Sequence, residues 1–258
     1  RIGEGRMVNT EIIQLAIESA LIRSKNNLLF NQDWSGIKLL VTAGATIESL
    51  DIARQISNKS SGLMGVSIAQ AARLRGASVD LIHGNLQISD SLIEGLNTFR
   101  VSNASSMQKT LEDLQPSADV IAMTAAVSDI RKKGASKQNK IPKGSLIKSL
   151  LNDIEIVPDL LSQLVSRKIK NQIILGFTAL TGNDQELQEL ASIKRIKKGC
   201  DLMMANPIDR HDQGFGSNFN GGFLIGPNEQ TKLMPVETKF QLANKLLDEL
   251  LALKSKIF

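Results

Sequence analysis

Ile56-Ser57-Asn58-Lys59-Ser60-Ser61-Gly62-Leu63-Met64-Gly65 places polar amides, hydroxyls and glycines directly before an amphipathic helix in which Met64, Ile68, Ala69 and Ala72 share one face. Ser60 or Ser61 is expected to cap that helix, and Gly62 to let a ligand approach backbone N–H groups, the ingredients of an anion site. The apolar run Ile37 to Val41, ending in Thr42-Ala43-Gly44-Ala45-Thr46, precedes it, and Ser78-Val79-Asp80-Leu81-Ile82-His83-Gly84 follows. Strand, polar loop, helix and strand make a βαβ unit, which sets its loops at the carboxyl end of a parallel sheet, where open α/β folds bind ligands. No G-x-G-x-x-G stands here, so a dinucleotide reading lacks its usual fingerprint.

The pattern continues outward. It predicts a short helix near 89–96, strands near 99–101 and 120–123, and helices over 106–114 and 184–198. Strands follow over 172–175 and 202–205, two more lie around Phe223 and Leu233, and a helix closes the chain over 240–251. The fold expected is α/β: a Rossmann-like, mostly parallel sheet flanked by helices, with a basic flap and a small C-terminal β-extension. Residues 1–33 read as an N-terminal helix (about Glu11 to Leu21) and linker, and residues 34–258 as the main domain. With 258 residues, 42% of them hydrophobic, the chain can bury a full core.

Aromatics are only 3% and tyrosine is absent, so base-stacking platforms are scarce; with a net charge of +5, nucleic acid is a poor partner. A phosphate-bearing small molecule needs only a few placed cations. Cys200 is the single cysteine, which rules out an intrachain disulfide and reads as a core thiol. No apolar run reaches membrane-span length, and the expected location is the cytoplasm.

Chemistry gathers at strand ends. Thr124-Ala125-Ala126-Val127-Ser128-Asp129 offers small residues that leave room for a ligand, and Asp129 is either a turn cap or a ligand-facing carboxylate. Residues 130–148 form a lysine-rich flap, solubilising or phosphate-closing, in which Lys140-Ile141-Pro142-Lys143 is the stiffest part. Pro158 suits a first helical turn and Asp159 its positive end. Phe177 is core or a cover over a base. Lys194 and Lys198, four apart, share a face, where they complement the helix C-terminus or bind polyphosphate, and Gly199 is a natural stop.

Several separated segments, in order and spacing, resemble the phosphopantothenate-cysteine ligases of coenzyme A synthesis. These are Thr42-Ala43-Gly44, Leu50-Asp51, Arg54 through Gly65, Ala125-Ala126-Val127, Gly176-Phe177, Lys194-Arg195-Ile196-Lys197-Lys198 and Ala205-Asn206. Arg1 to Met7 also resembles the end of the FMN-dependent decarboxylase that bacteria often fuse in front of such a domain, which would make residues 1–33 the remnant of that junction. The resemblance implies a homodimer, or a higher oligomer through a fused decarboxylase. It also implies a reaction joining 4'-phosphopantothenate to L-cysteine through an acyl-cytidylate made from CTP, with Mg²⁺ held mainly by phosphates and no protein metal ligand.

By the same resemblance Asn58 and Lys140 are the catalytic residues. Arg54, Asn58 and Ala126 contact the acid substrate. Gly44, Ala125, Asp129, Lys140, Pro158, Asp159, Leu160, Leu161, Phe177, Lys194 and Lys198 surround the nucleotide. The chain departs from the pattern at Ala45, Ile47, Ser49, Pro142, Val157, Leu180 and Pro207. Those departures motivate a second reading, a non-catalytic dimerisation domain supporting a fused decarboxylase.

Overall fold

The computed structural model describes residues 7–24, 32–135 and 138–257. The chain runs α1 (Thr10–Ser24), β1 (Lys38–Ala43), β2 (Ile47–Ser49), β3 (Gln55–Ser57), α2 (Leu63–Leu74), β4 (Ser78–His83), β5 (Asn97–Arg100), α3 (Ala104–Leu114) and β6 (Val120–Met123). It continues with β7 (Ile130–Lys132), α4 (Lys143–Asp153), β8 (Ile154–Ile156), α5 (Leu160–Ser166), β9 (Ile173–Leu180) and α6 (Asp184–Lys198). The last elements are β10 (Leu202–Pro207), β11 (Phe219–Ile225), β12 (Thr231–Thr238) and α7 (Lys239–Ile257).

Eight strands form one sheet in the order β12-β11-β10-β9-β6-β1-β4-β5. The six from β10 to β5 are parallel, and β11 and β12 extend it antiparallel. The expected α/β architecture is the observed one, and the C-terminal β-extension is the antiparallel edge of the same sheet.

Both faces of the inner parallel strands are buried, so these strands read as apolar runs rather than alternating ones, whereas the edge strand β5 is mostly exposed. Period two still sorts their side chains between layers. Leu39, Val41, Val120, Ala122, Ile173 and Leu175 pack with α2 and α7. Leu40, Ile121, Ile174 and Met203 pack with α3, α5 and α6. In register, Thr42 lies beside Met123, Met123 beside Gly176, and Gly176 beside Met203, so β9 and β10 run on beyond the ends of β1 and β6 at the carboxyl side of the sheet.

Several expectations are corrected. The N-cap of α2 is Gly62, at φ 84°, and no serine side chain caps it. Ser60 and Ser61 instead accept from the Gly62 and Leu63 amides in local turns, at 3.3 and 3.4 Å. A Cβ on Gly62 would lie 2.3 Å from Leu86 Cδ2, so the glycine serves packing as well as approach. Residues 89–96 hold only a 3-10 turn, Asp90–Ile93. Pro158 stands before the helix, whose N-cap is Asp159. The flap is more ordered than a solvated loop: β7 pairs antiparallel with β8, and α4 fills part of the segment between them. Arg1 to Arg6 of the decarboxylase-like segment, most of the linker and Lys137 of the flap lie outside the described residues.

Candidate functional site

A cleft of about 720 Å³ opens at the carboxyl rim of β6, β9 and β10. Its floor is the loop after β6, which is suspended from side chains of an earlier segment. Thr42 Oγ1 accepts from the Thr124 and Ala125 amides at 3.1 and 3.0 Å, and Thr46 Oγ1 from the Ser128 amide at 2.9 Å. The Ala126 amide donates to Gly44 O at 2.9 Å. Fixing the loop this way leaves small side chains at residues 124–126, hence open space. The small residues are legible in the sequence, whereas the threonines that hold them lie more than 80 residues away and carry no local signal.

Asn58 lines the cleft, and its Nδ2 donates to Val127 O at 3.0 Å. That bond uses one of two amide hydrogens and fixes the plane of the side chain. Asp129 also lines the cleft; among the described residues only its backbone is bonded, Val157 N donating to Asp129 O at 2.9 Å, and its carboxylate caps no turn there. Asp159 is the N-cap of α5: its two carboxylate oxygens accept from the Ser162 amide and hydroxyl at 3.1 and 2.8 Å, and it is ion-paired to Lys198. Burial acts to raise the Asp159 pKa, but the Lys198 and Ser162 donors outweigh it and hold the carboxyl below its usual value.

Lys194 Nζ donates to Thr178 Oγ1 at 3.1 Å, beside Phe177 on β9. Pro158, Leu160, Leu161 and Phe177 complete this wall, and Ala125 and Ala126 the floor. The α6 lysines therefore reach the cleft, and Gly199 ends their helix at φ 75° as expected. Asn58, Lys194 and Lys198 share one cavity, so the proposed amide and cations are not on opposite sides of the molecule.

Three predicted residues are not among those lining the cleft. Gly44 packs its backbone against Asn85, where a Cβ would lie 2.5 Å from a carbonyl. Arg54 is paired to Asp51 at 2.8 Å and donates to Ile141 O at 2.6 Å, while Asp51 accepts from the Ile141 amide at 3.1 Å. This pins the flap at the residue after Lys140, and Lys140 itself is exposed. Sequence reasoning missed Lys197, Phe215, Asn220 and Lys239, all of which line the cleft. Cys200 is buried, with its thiol pushed up to about 11 chiefly by burial, as suits a core residue.

The cleft holds four lysines, Lys194, Lys197, Lys198 and Lys239, against two aspartates, Asp129 and Asp159, and is suited to polyanions. Among the described residues no group of three or more His, Cys, Asp or Glu is placed to hold a metal ion, and no helix is long and apolar enough to cross a membrane.

Fold and cleft together define a Rossmann-like α/β protein with a cationic ligand site at the sheet's carboxyl rim. Residues 34–253 match the family described as DNA/pantothenate metabolism flavoprotein C-terminal domain, and the chain belongs to that family. It is 32% identical over 98% of its length to the coenzyme A biosynthesis bifunctional protein CoaBC of Mycolicibacterium smegmatis, covering 61% of that protein. To the Escherichia coli K12 protein of the same name it is 33% identical over 96% of its length, covering 58%. The chain thus spans about three fifths of these curated relatives. A protein named cysteine/cysteine sulfinic acid decarboxylase, from an unknown prokaryotic organism, is 30% identical over 97% of the chain and is covered to 67%. Among solved structures, the C-terminal domain of a CoaBC protein superposes with TM-score 0.70 at 26% identity, over 88% of this chain and all of that one. A Cab2 variant in complex with phosphopantothenate-cysteine shares the fold, with TM-score 0.66 at 16% identity over 98% of this chain and 96% of that one.

Proposed function

We propose that this chain is the ligase unit of coenzyme A synthesis, joining 4'-phosphopantothenate to L-cysteine at the expense of CTP. The observation that carries the reading is the convergence of the Asn58 amide, Asp129 and the Lys194/Lys198 pair on one cleft. In the first step a carboxylate oxygen of the acid attacks the α-phosphorus and pyrophosphate leaves. In the second, the cysteine amine attacks the acyl carbon, CMP leaves and the amine loses its proton.

Two anions must approach in the first step, so the site needs cations and neutral donors. Lys194 and Lys198 offset phosphate charge, and the second Asn58 amide hydrogen can donate to the attacking carboxylate without repelling it. Asp129 supplies an acceptor for the cytosine or ribose, and Phe177 an apolar cover. With Asp159 engaged by Lys198, the cleft has too few free carboxylates for a cage, so Mg²⁺ would arrive on the triphosphate, held by phosphate oxygens and water. Its contribution when bound is neutralisation of triphosphate charge. Lys140, on the pinned flap, would complete the site when the flap closes, and Arg54, which bonds the flap at Ile141, would meet the acid at that edge. A homodimer, and a flavin-binding decarboxylase unit joined upstream, belong to the same proposal.

The test is pyrophosphate release by the purified chain with CTP, Mg²⁺ and 4'-phosphopantothenate, followed by amide formation on adding cysteine. No release in the presence of all three sinks the ligase reading. It would favour a domain that only supports a decarboxylase, a second reading to which the similarity with the named decarboxylase lends weight.

A further inference from the structure

Lys239, the first residue of α7, is 5% exposed and lines the cleft. Its ammonium donates to Gly214 O at 3.1 Å, and among the described residues it forms no ion pair. The charged groups on the surrounding elements are engaged elsewhere. Glu237 of β12 holds Lys245, Glu18 of α1 accepts from Thr238, Asp209 accepts from the Gly182 amide, and Asp212 lies against His211. The other charged groups lining the cleft are Lys194, Lys197, Lys198, Asp129 and Asp159. An ammonium buried with a single carbonyl destabilises the fold, so its placement is explained by what it meets from the cleft side. Burial alone lowers its pKa to about 8.

Topology puts this cation at a particular wall. Two antiparallel steps, β10 to β11 and β11 to β12, return β12 to the direction of the parallel strands. Consequently α7 starts at the same rim as α2, and both belong to the same layer. In the first turn of α2, the Met64 and Gly65 amides have no acceptor among the described residues, and both residues line the cleft. In α7, by contrast, the Lys239 amide donates to Asn218 O at 2.9 Å and the Gln241 amide to Thr238 Oγ1 at 3.1 Å. One helix contributes free N–H groups and the other a buried ammonium, and both dipoles point their positive ends at the gap.

We infer that Lys239 is an anion-binding cation of the cleft, taking a phosphate group on the α2/α7 wall while Lys194 and Lys198 act from the α6 wall. The site stands on the geometry, whereas naming its anion rests on the ligase reading. The phosphate could belong to the nucleotide triphosphate or to the phosphomonoester of the acid.

Calorimetry on the whole chain separates these cases, with inorganic pyrophosphate, CTP and 4'-phosphopantothenate titrated individually into wild type, Lys239→Met and Lys239→Arg at pH 7 and pH 9. Wild type should bind pyrophosphate more weakly at pH 9, although the ligand's own ionisation only adds negative charge. Lys239→Met should bind at least tenfold more weakly at pH 7 with little further loss at pH 9, and Lys239→Arg should keep its affinity across the range. A loss confined to CTP assigns the triphosphate, and one confined to the acid assigns the phosphomonoester. Wild-type affinity for all three ligands in Lys239→Met, or a defect of equal size at both pH values, overturns the inference. If the Met variant does not fold, a flat wild-type profile between pH 7 and pH 9 overturns it. Pyrophosphate binding that depends on Lys239 in a chain without turnover would sink the ligase reading and leave this site standing.

Discussion

The two walls of the cleft hold their lysines in opposite ways. On the α6 wall, Lys198 is paired with Asp159 and Lys194 bonds Thr178, both half-buried and continuing, toward the helix C-terminus, the face that carries the packing residues Leu187 and Ala191. On the α7 wall, Lys239 is buried and, among the described residues, its ammonium is bonded only to a carbonyl. A cation left near water and given a carboxylate costs the fold little and adds little, about 0–1 kcal/mol. A cation removed from water with no counter-charge is a standing cost, and a ligand that supplies the missing charge gains what the fold lost.

The largest effect should come from the neutral group between the walls. Asn58→Asp places a carboxylate beside the attacking carboxylate and removes the donor to Val127 O; single-turnover rate should fall by about 10²- to 10³-fold. Asn58 is exposed, so the melting temperature should barely move. An unchanged rate would remove Asn58 from the mechanism and leave the walls without a shared reaction.

Next comes stability at the buried wall. The ordinary lysine pKa of 10.5 falls to about 8 in the folded state, so between these values the unfolded chain binds the extra proton and stability rises with pH. The cost is fully present below about pH 8, on the order of 3 kcal/mol at 1.36 kcal/mol per pKa unit. Lys239→Met should therefore melt higher than wild type at pH 7, and the gap should shrink as pH rises toward 10.5. A Met variant that melts lower at neutral pH would break the contrast drawn between the walls.

Lys198→Met should weaken CTP binding about tenfold, the scale of one charge-assisted hydrogen bond, with a stability change within about 1 kcal/mol. With burial acting to raise it and the Lys198 bond gone, the Asp159 carboxyl should titrate higher than in wild type. Its contribution is present above the unfolded pKa and lost as pH falls through the depressed folded value, so wild type and variant should converge in acid. An urea titration at pH 7 and in acid checks both. The smallest expected effect is Lys140→Gln, which should reduce turnover several-fold more than CTP affinity if the flap closes after binding; equal losses would make Lys140 an ordinary binding residue.

Legibility followed locality. The helix over 184–198 could be bounded from the sequence because its signals are adjacent: Asn183 and Glu186 form a capping box, and Gly199 takes the left-handed stop. The strand 120–123 was readable because burial on both faces leaves an unbroken apolar run. The α2 cap was misread, because two serines look like caps while a positive φ and the contact with Leu86 demanded glycine one residue later. In the flap the lysines mask, at the level of sequence, a short hairpin and the helix within it.

What the sequence determined by itself was the order of the main sheet's parallel strands and the α/β class they define, and the presence of an amide in the loop before α2, a carboxylate after β6 and a lysine pair at the end of α6. Tertiary structure alone decided which of these groups meet. Thr42 and Thr46 hold a loop more than 80 residues away, as the separations of 82, 83 and 82 in their bonds show. Lys239 enters the cleft only because the β11–β12 hairpin reverses the chain twice before α7 begins. Hydrophobic period and capping act over a few residues, whereas a shared rim depends on sheet register and crossover direction, which no local run of residues encodes.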